Sequence, residues 1–387
     1  MIDLRGVSSR STVVKGISVR LLDLIAHHDG LKTLCGDIGN AFITADCLEK
    51  VYAVAGPEFG DREDSIAILI KALYGLRSSS RAFRAHFADF LRQLGFFPTK
   101  YDRDVWMCLC EEKNGYDYIC THVDDFKVVA KKPERWVDEI SAVFLLKSVG
   151  PPSYYLGNDY IWSVDNHAWE LGCHMYIKEC VQKLEADPSI DGELCPHKVT
   201  LLAGCHPELD ESPLLDDDGD SKYQMLIGMA QWACTIGHLD IAFAVSSLSH
   251  FSASPFHGHL KLAVYLFGYL KKYPNQQLVL NSNSLLVNEE LQQSSFHPDF
   301  LEDYDGAKEE IGTGFPNPYG NELESSIFFD ADHAHDHLMR CSITGIMAFA
   351  GSTPMLWPSK HQGCTATSTY TTEFVAMCSA IEEAISM

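Results

Sequence analysis

Thirteen residues constrain this chain more than any others: Tyr118-Ile-Cys-Thr-His-Val-Asp-Asp-Phe-Lys-Val-Val-Ala130. Residues 118–122 and 126–130 are rich in Val, Ile, Tyr and Phe and flank a short polar turn, the pattern of a β-hairpin. Such a hairpin carries Asp124 and Asp125 to one tip. Two carboxylates held together repel, and a hard, oxygen-seeking cation such as Mg²⁺ relieves the repulsion. Plain turn chemistry also places Asp in hairpin turns, so the pair taken alone leaves both readings open.

The segments around the hairpin predict a mixed α and β protein. Residues 16–29 have helical apolar spacing with Ser18 as a candidate N-cap and Gly30 as the stop. Residues 31–36 read as a strand that runs into Asp37, which is either a helix cap or a metal ligand at a strand end. Residues 51–55 form a further strand. A helix over 79–94 carries Phe83, Phe87, Phe90, Leu91 and Leu94 on one face, and Gly95 ends it. Arg77, Arg81 and Arg84 surround its start, as phosphate ligands at a helix N-terminus or as a solvated basic face. Residues 105–110 pair with the 118 arm across the loop 111–117. Helices over 136–146 and 174–185 bracket a strand pair at 154–162. Helices over 223–251 and 257–272 follow, then strands at 326–330, 343–350 and 355–357, and a helix over 371–384. No internal repeat is present.

Charge and cysteine usage exclude several classes. The 387 residues suffice for two or three domains. The formal net charge of −23 argues against a surface that grips phosphates all over. Basic residues concentrate in the first 190 positions, while 199–221 contain seven acids and no Lys or Arg. If nucleic acid binds, it must use a local channel in the first 190 residues; the later segments read as an acidic, solvated surface. The 13 cysteines are scattered and odd in number, which fits reduced thiols. Cys108-Leu-Cys110 and the group Cys195, His197, Cys205 and His206 lack zinc-finger spacing. There is no apolar run of bilayer length and no signal-peptide pattern, so no membrane partner and an intracellular location are expected.

If the Asp37 strand lies beside the hairpin, Asp37, Asp124 and Asp125 converge. Two divalent ions held there can activate a 3′-hydroxyl and stabilise a leaving pyrophosphate. Phe42, five residues on, would lie under the incoming sugar and exclude a ribose 2′-hydroxyl. Asp37-Ile-Gly-Asn-Ala-Phe-Ile, Lys71-Ala-Leu-Tyr-Gly-Leu-Arg-Ser-Ser-Ser-Arg-Ala-Phe, His122-Val-Asp-Asp, Tyr155-Leu-Gly, Tyr223-Gln-Met-Leu-Ile-Gly and Asp240-Ile-Ala-Phe-Ala-Val occur in that order. In order and rough spacing the chain resembles the reverse transcriptase of copia-type long-terminal-repeat retrotransposons. Asp330-Ala-Asp-His-Ala, Arg340-Cys-Ser-Ile-Thr-Gly, Trp357-Pro-Ser-Lys-His-Gln and Thr372-Glu-Phe-Val-Ala resemble the RNase H domain that follows it.

The resemblance implies an α+β right-hand-type polymerase palm with a helical thumb and connection, then a truncated RNase H-like α/β unit. The corresponding segments are a palm over 1–190 with most of the fingers missing, a thumb and connection over 191–280, a linker over 281–324 and the RNase H-like unit over 325–387. It implies RNA-directed DNA synthesis from dNTPs on an RNA template and DNA primer. Asp37, Asp124 and Asp125 would hold Mg²⁺ or Mn²⁺. Phe42, Tyr74, Gly75 and Arg77 would lie on the nucleotide and template side, and Tyr155, Leu156 and Gly157 on the primer side. Asp330 and Glu373 would be metal carboxylates of a nuclease that ends before its later ligands and is therefore inactive. The cytoplasm, a virus-like particle or the nucleus would be its place. The alternative is a catalytically inactive remnant of such an element, which the missing fingers favour and the intact carboxylates oppose; Ser78-Ser79-Ser80 and His122 also depart from the family pattern. The tract Asp332-His-Ala-His-Asp-His337 has a second reading, as a His-rich metal site.

Overall fold

The computed structural model describes residues 13–188, 194–286 and 315–386; the expected polar start and most of the expected linker lie outside the described residues. Helix α1 (Gly16–His28) leads into β1 (Lys32–Ile38), then a short helix α2 (Ala41–Thr44). A two-stranded ribbon of β2 (Tyr52–Val54) and β3 (Ile66–Ile68) precedes α3 (Ser79–Gln93). β4 (Phe97–Pro98), β5 (Val105–Leu109), β6 (Tyr116–His122), β7 (Asp125–Ala130), α4 (Pro133–Ser141) and β8 (Leu146–Gly150) complete this part. Six of these strands form one antiparallel sheet in the order β4-β5-β6-β7-β1-β8.

Strand alternation explains why both faces of this sheet are covered. On one face, Ile38, Ile119, Phe126 and Val128 pack against Phe83, Phe87 and Leu91 of α3 and Trp136 and Ile140 of α4. The apolar positions of α3 recur every four residues, so one stripe of the helix meets the sheet. Phe126 also needs Gly36 opposite it, because a Cβ there would stand 2.6 Å from the Phe126 ring. On the other face, Cys35, Cys120 and Val129 join Val19, Leu22 and Leu24 of α1 in a second core that extends into the following helices.

The chain then forms β9 (Tyr154–Tyr155), β10 (Asn158–Ser163), β11 (Ala168–Gly172) and α5 (His174–Glu185). Leu156 and Gly157 have φ of 47° and 89°, so a two-residue hairpin turn with both central residues left-handed joins β9 to β10. Helices α6 (Asp217–Ile236), α7 (Ala242–Ser249) and α8 (His257–Lys272) follow, and β12 (Gln277–Val279) returns to pair with β11. The acidic run before α6 has a local cause. Asp216 accepts from the Gly219 amide at 2.9 Å as N-cap, and Asp217, Asp218 and Asp220 occupy the first turn, where the helix dipole favours anions. The last unit is an antiparallel sheet of β13 (Ser325–Asp332), β14 (Ile343–Ala350), β15 (Thr353–Leu356) and β16 (Ser359–His361), with α9 (Thr369–Ser386) packed on β13 and β14.

One buried arginine joins the three parts. Arg20 of α1 donates to the Thr235 carbonyl at 2.9 Å and to the Met355 carbonyl at 2.8 Å, and its guanidinium lies over the Trp357 ring. Trp357 in turn donates to the Cys234 carbonyl at 3.0 Å.

Several local expectations change. The helix expected over 223–251 breaks at Gly237, and the turn Leu239–Ile241 separates α6 from α7. Ser18 does not cap α1; its hydroxyl donates to Asp102 at 2.7 Å, and the same carboxylate accepts from the Lys15 amide. A buried acceptor from another segment outranks the local cap. The helix expected over 136–146 ends at Ser141, because residues 146–150 are needed as β8, the edge partner of β1. Strands β3, β4, β11, β12 and β16 were not anticipated; all but the five-residue β11 have three residues or fewer, too few to show a period.

Candidate active site

Register brings the predicted carboxylates together. Asp37 lies inside β1, directly opposite Asp125 of β7, and is not a helix cap. The β6–β7 turn is only Val123 and Asp124, with His122 paired to Asp125 across it. Val123 has φ of 59°, and Asp124 does not share that left-handed geometry, which is the pattern of a tight hairpin turn of the II′ kind. A β-branched residue held there is strained, so the surroundings must enforce the turn. One such restraint is the Ile38 amide, which donates to the Asp124 carbonyl at 2.9 Å. A register irregularity in the β1–β8 pairing between Cys35 and Asp37 leaves Asp37 facing Lys147.

The three carboxylates share one electrostatic field. Burial, then the charges of Asp124 and Asp37, pushes the Asp125 carboxyl up to about 6. Partial burial and the same two charges raise the Tyr74 phenol. Burial lowers His122, opposed by Asp124 and Asp104. Carboxylate oxygens that repel one another at the end of a sheet are the donor chemistry of a hard divalent cation. Among the described residues, no three His, Cys, Asp or Glu side chains are gathered closely enough to hold a metal ion as they stand.

The aromatic and glycine elements lie beside this tip. The Phe42 ring is 4.4 Å from the Tyr74 ring and 6.3 Å from Phe83, so Phe42 rests on the core with Tyr74 exposed over it. Tyr74 sits in a turn closed by the Leu76 amide on the Leu73 carbonyl, with Gly75 at φ 95°, the position that requires glycine in a type II turn. That turn is pinned by Lys71 on Asp46 (2.7 Å), by the Ser78 amide on Glu49 (2.9 Å) and by the Ser79 hydroxyl on the Leu73 carbonyl (2.6 Å). Arg77 is exposed, whereas Arg84 pairs with buried Asp104 at 2.6 Å, so it does not present a free cation at the helix start.

The remaining candidates are spread more widely. Tyr155 is 4% exposed, with its hydroxyl 3.7 Å from the Cys120 sulfur. Its side chain anchors the β9–β10 hairpin from within, and Leu156 and Gly157 form the surface of the turn. A Cβ on Gly157 would lie 3.1 Å from Trp232 of α6, so this turn abuts the helical part. Asp330 lies in β13 opposite Gly345 and lines a cavity of about 640 Å³ between that sheet and residues 239–243. Glu373 stands on α9, which packs against β13, and does not line that cavity.

Sequence reasoning missed the group beneath the carboxylates. Lys127, two residues past Asp125 on the same face of β7, is fully buried. Its ammonium donates to both oxygens of Asp23 (2.7 and 2.9 Å) and to the Tyr160 hydroxyl (2.6 Å). Tyr160 donates to Asp23 at 2.7 Å. The only available signal was a lysine within an otherwise apolar strand.

Residues 2–191 match the family model for reverse transcriptase (RNA-dependent DNA polymerase). The chain is 23% identical over 357 residues to the retrovirus-related Pol polyprotein from transposon RE1 of Arabidopsis thaliana, covering 91% of this chain and 21% of that protein. It is 24% identical over 332 residues to a transposon Ty5-1 protein of Saccharomyces cerevisiae, covering 84% and 92%. It is 24% identical over 374 residues to the retrovirus-related Pol polyprotein from transposon TNT 1-94 of Nicotiana tabacum, covering 95% and 25%. The chain thus spans about a fifth to a quarter of the two Pol polyproteins. No helix among the described residues is long and apolar enough to cross a membrane.

Proposed function

Because residues 2–191 belong to the reverse transcriptase family of copia type, we propose that this chain carries out RNA-templated DNA synthesis from dNTPs at Asp37, Asp124 and Asp125. The observation that carries the reading is the register of Asp37 against Asp125, with Asp124 in the adjoining turn and all three charges coupled. Those three carboxylates would hold Mg²⁺ or Mn²⁺, which when bound supplies Lewis-acid stabilisation of the reacting oxygens. Phe42, backed by Phe83, is the side chain that would meet the sugar. Tyr74, Gly75 and Arg77 form the neighbouring turn on the nucleotide and template side. Lys147, opposite Asp37 on β8, adds a cation at the rim suited to phosphate. The β9–β10 turn at Leu156 and Gly157 would lie on the primer side, with Tyr155 positioning it from the core. Asp330 and Glu373 are proposed as carboxylates of a second metal site in the C-terminal unit.

The test is primer extension on an RNA template with Mg²⁺ and dNTPs, beside Asp124→Asn/Asp125→Asn. Extension that disappears in the variant supports the proposal, and Phe42→Ala should then raise incorporation of ribonucleotides. A folded wild-type chain that binds primer–template but extends nothing refutes it and leaves the inactive-remnant reading.

A further inference from the structure

The histidines of the tract Asp332-His-Ala-His-Asp-His337 pack and do not converge. His206 stacks on His337 with ring centres 3.9 Å apart, and among the described residues no three ligating side chains could hold a metal ion there. A neighbouring cavity has a different chemistry. It measures about 510 Å³, within the range of small-molecule sites, and lies between α6 and α7 on one side and residues 356–361 on the other. The chain has a formal net charge of −23, yet no Asp or Glu among the described residues lines this cavity, whereas Arg20, Lys360, His250 and His361 do. Glu208 and Asp336 line the smaller cavity beyond His250 and His361.

Arg20 is the informative member. It is 6% exposed, and among the described residues no carboxylate pairs with it. Two of its five N–H donors have partners, the carbonyls of Thr235 and Met355, and Nε is buried without one. Burial pulls the guanidinium down to about 10. The groups that oppose this, Tyr160 and Cys234, are both pushed up by their own burial and carry no charge at neutral pH. A buried charge is ordinarily paired, and this one lines a cavity instead. Lys360, at the rim, stands 3.9 Å from Glu383, beyond hydrogen-bond distance.

We propose that this cavity binds a phosphate group, with Arg20 as the buried fork and Lys360 as the point charge at the rim. A guanidinium matches two oxygens of one phosphate, and the ammonium takes another. The hydroxyls of Ser246 and Ser359 line the same space and give a tetrahedral oxyanion further donors. Chloride cannot accept from a fork in this way, and a carboxylate has only two oxygens to share. A free phosphorylated ligand fits better than a nucleic-acid backbone, because the cavity is set between two layers of the fold and the net charge of the chain repels a polyanion. Arg20 already bonds to α6 and β15, so the ligand would reinforce the joint between the helical connection and the C-terminal sheet.

The test is calorimetric titration of the full chain with inorganic phosphate at constant ionic strength, with thermal unfolding as a second readout. EDTA is present throughout, so that no metal can carry phosphate to the carboxylates. The expected result is one phosphate per chain and a rise in unfolding temperature that chloride does not give. Lys360→Glu, at a half-exposed position that leaves circular dichroism unchanged, should weaken binding at least about tenfold, the effect of one charge-assisted hydrogen bond. Arg20→Lys keeps the charge but loses the fork and should weaken it by a similar factor. Displacement of phosphate by a mononucleotide supports a free ligand, and displacement by a single-stranded oligonucleotide supports a backbone phosphate in the same cavity. No saturable binding by the wild-type chain, undiminished affinity in either variant, or equal stabilisation by chloride would each overturn the proposal.

Discussion

Lys127→Met should be among the most damaging substitutions in the chain, although Lys127 touches no substrate. Its three N–H donors meet three acceptor atoms, two on Asp23 and one on Tyr160, all within 2.9 Å. The Tyr155 and Tyr160 rings each lie 4.6 Å from the ammonium. Methionine preserves most of the volume but leaves the Asp23 carboxylate, itself 4% exposed, without its cation. Removing one partner of a buried pair costs about 3–5 kcal/mol, because the other charge stays buried. The loss would be read from urea unfolding followed by tryptophan fluorescence. Replacing both partners, as Asp23→Leu/Lys127→Met, removes the stranded charge. The double variant should therefore be more stable than the sum of the single losses predicts, by at least about 2 kcal/mol. A single-variant loss under about 1 kcal/mol, or simple additivity, would refute the reasoning.

Three further outcomes follow from the geometry. Asp125 binds its proton more tightly when folded, near pH 6 against about 3.9 in an unfolded chain, so its contribution to stability falls as pH rises between those values. For this half-buried group the effect is about 1–2 kcal/mol after solvent screening. The slope of urea midpoint against pH should flatten in Asp125→Asn over pH 4–6, and Mg²⁺ should shift the wild-type transition downward. Arg20→Met removes two donors and the stack on Trp357, costing about 2–4 kcal/mol, and limited proteolysis should then release the C-terminal unit faster; unchanged cleavage would contradict the clamp. Gly157→Ala combines a left-handed φ of 89° with a Cβ placed 3.1 Å from Trp232, and should lower stability by about 1–3 kcal/mol in thermal unfolding.

Much of the carboxylate site was legible because its signals are local. Hairpin propensity and turn composition marked Asp124 and Asp125, and the strand read over 31–36 led into Asp37. The helices at 79–93, 174–185 and 257–272 carry enough apolar repeats to declare their period, and the structure places them close to the expected bounds. The resemblance to copia-type reverse transcriptases depends on the order of motifs, and order is a property of sequence alone.

Tertiary structure decided what depends on distant partners. Sequence could not assign Ser18 to Asp102 instead of its own helix end, because the acceptor is 84 residues away. It could not turn residues 146–150 into an edge strand, because the vacancy beside β1 exists only once the sheet has formed. Lys127 and Arg20 looked like ordinary charged side chains, and only burial among particular partners gives each its role. The histidines show the same division. The tract from Asp332 to His337 was visible as composition, but His206 joins it only through packing of the connection on the C-terminal sheet, since imidazoles more than a hundred residues apart leave no pattern in a one-dimensional string.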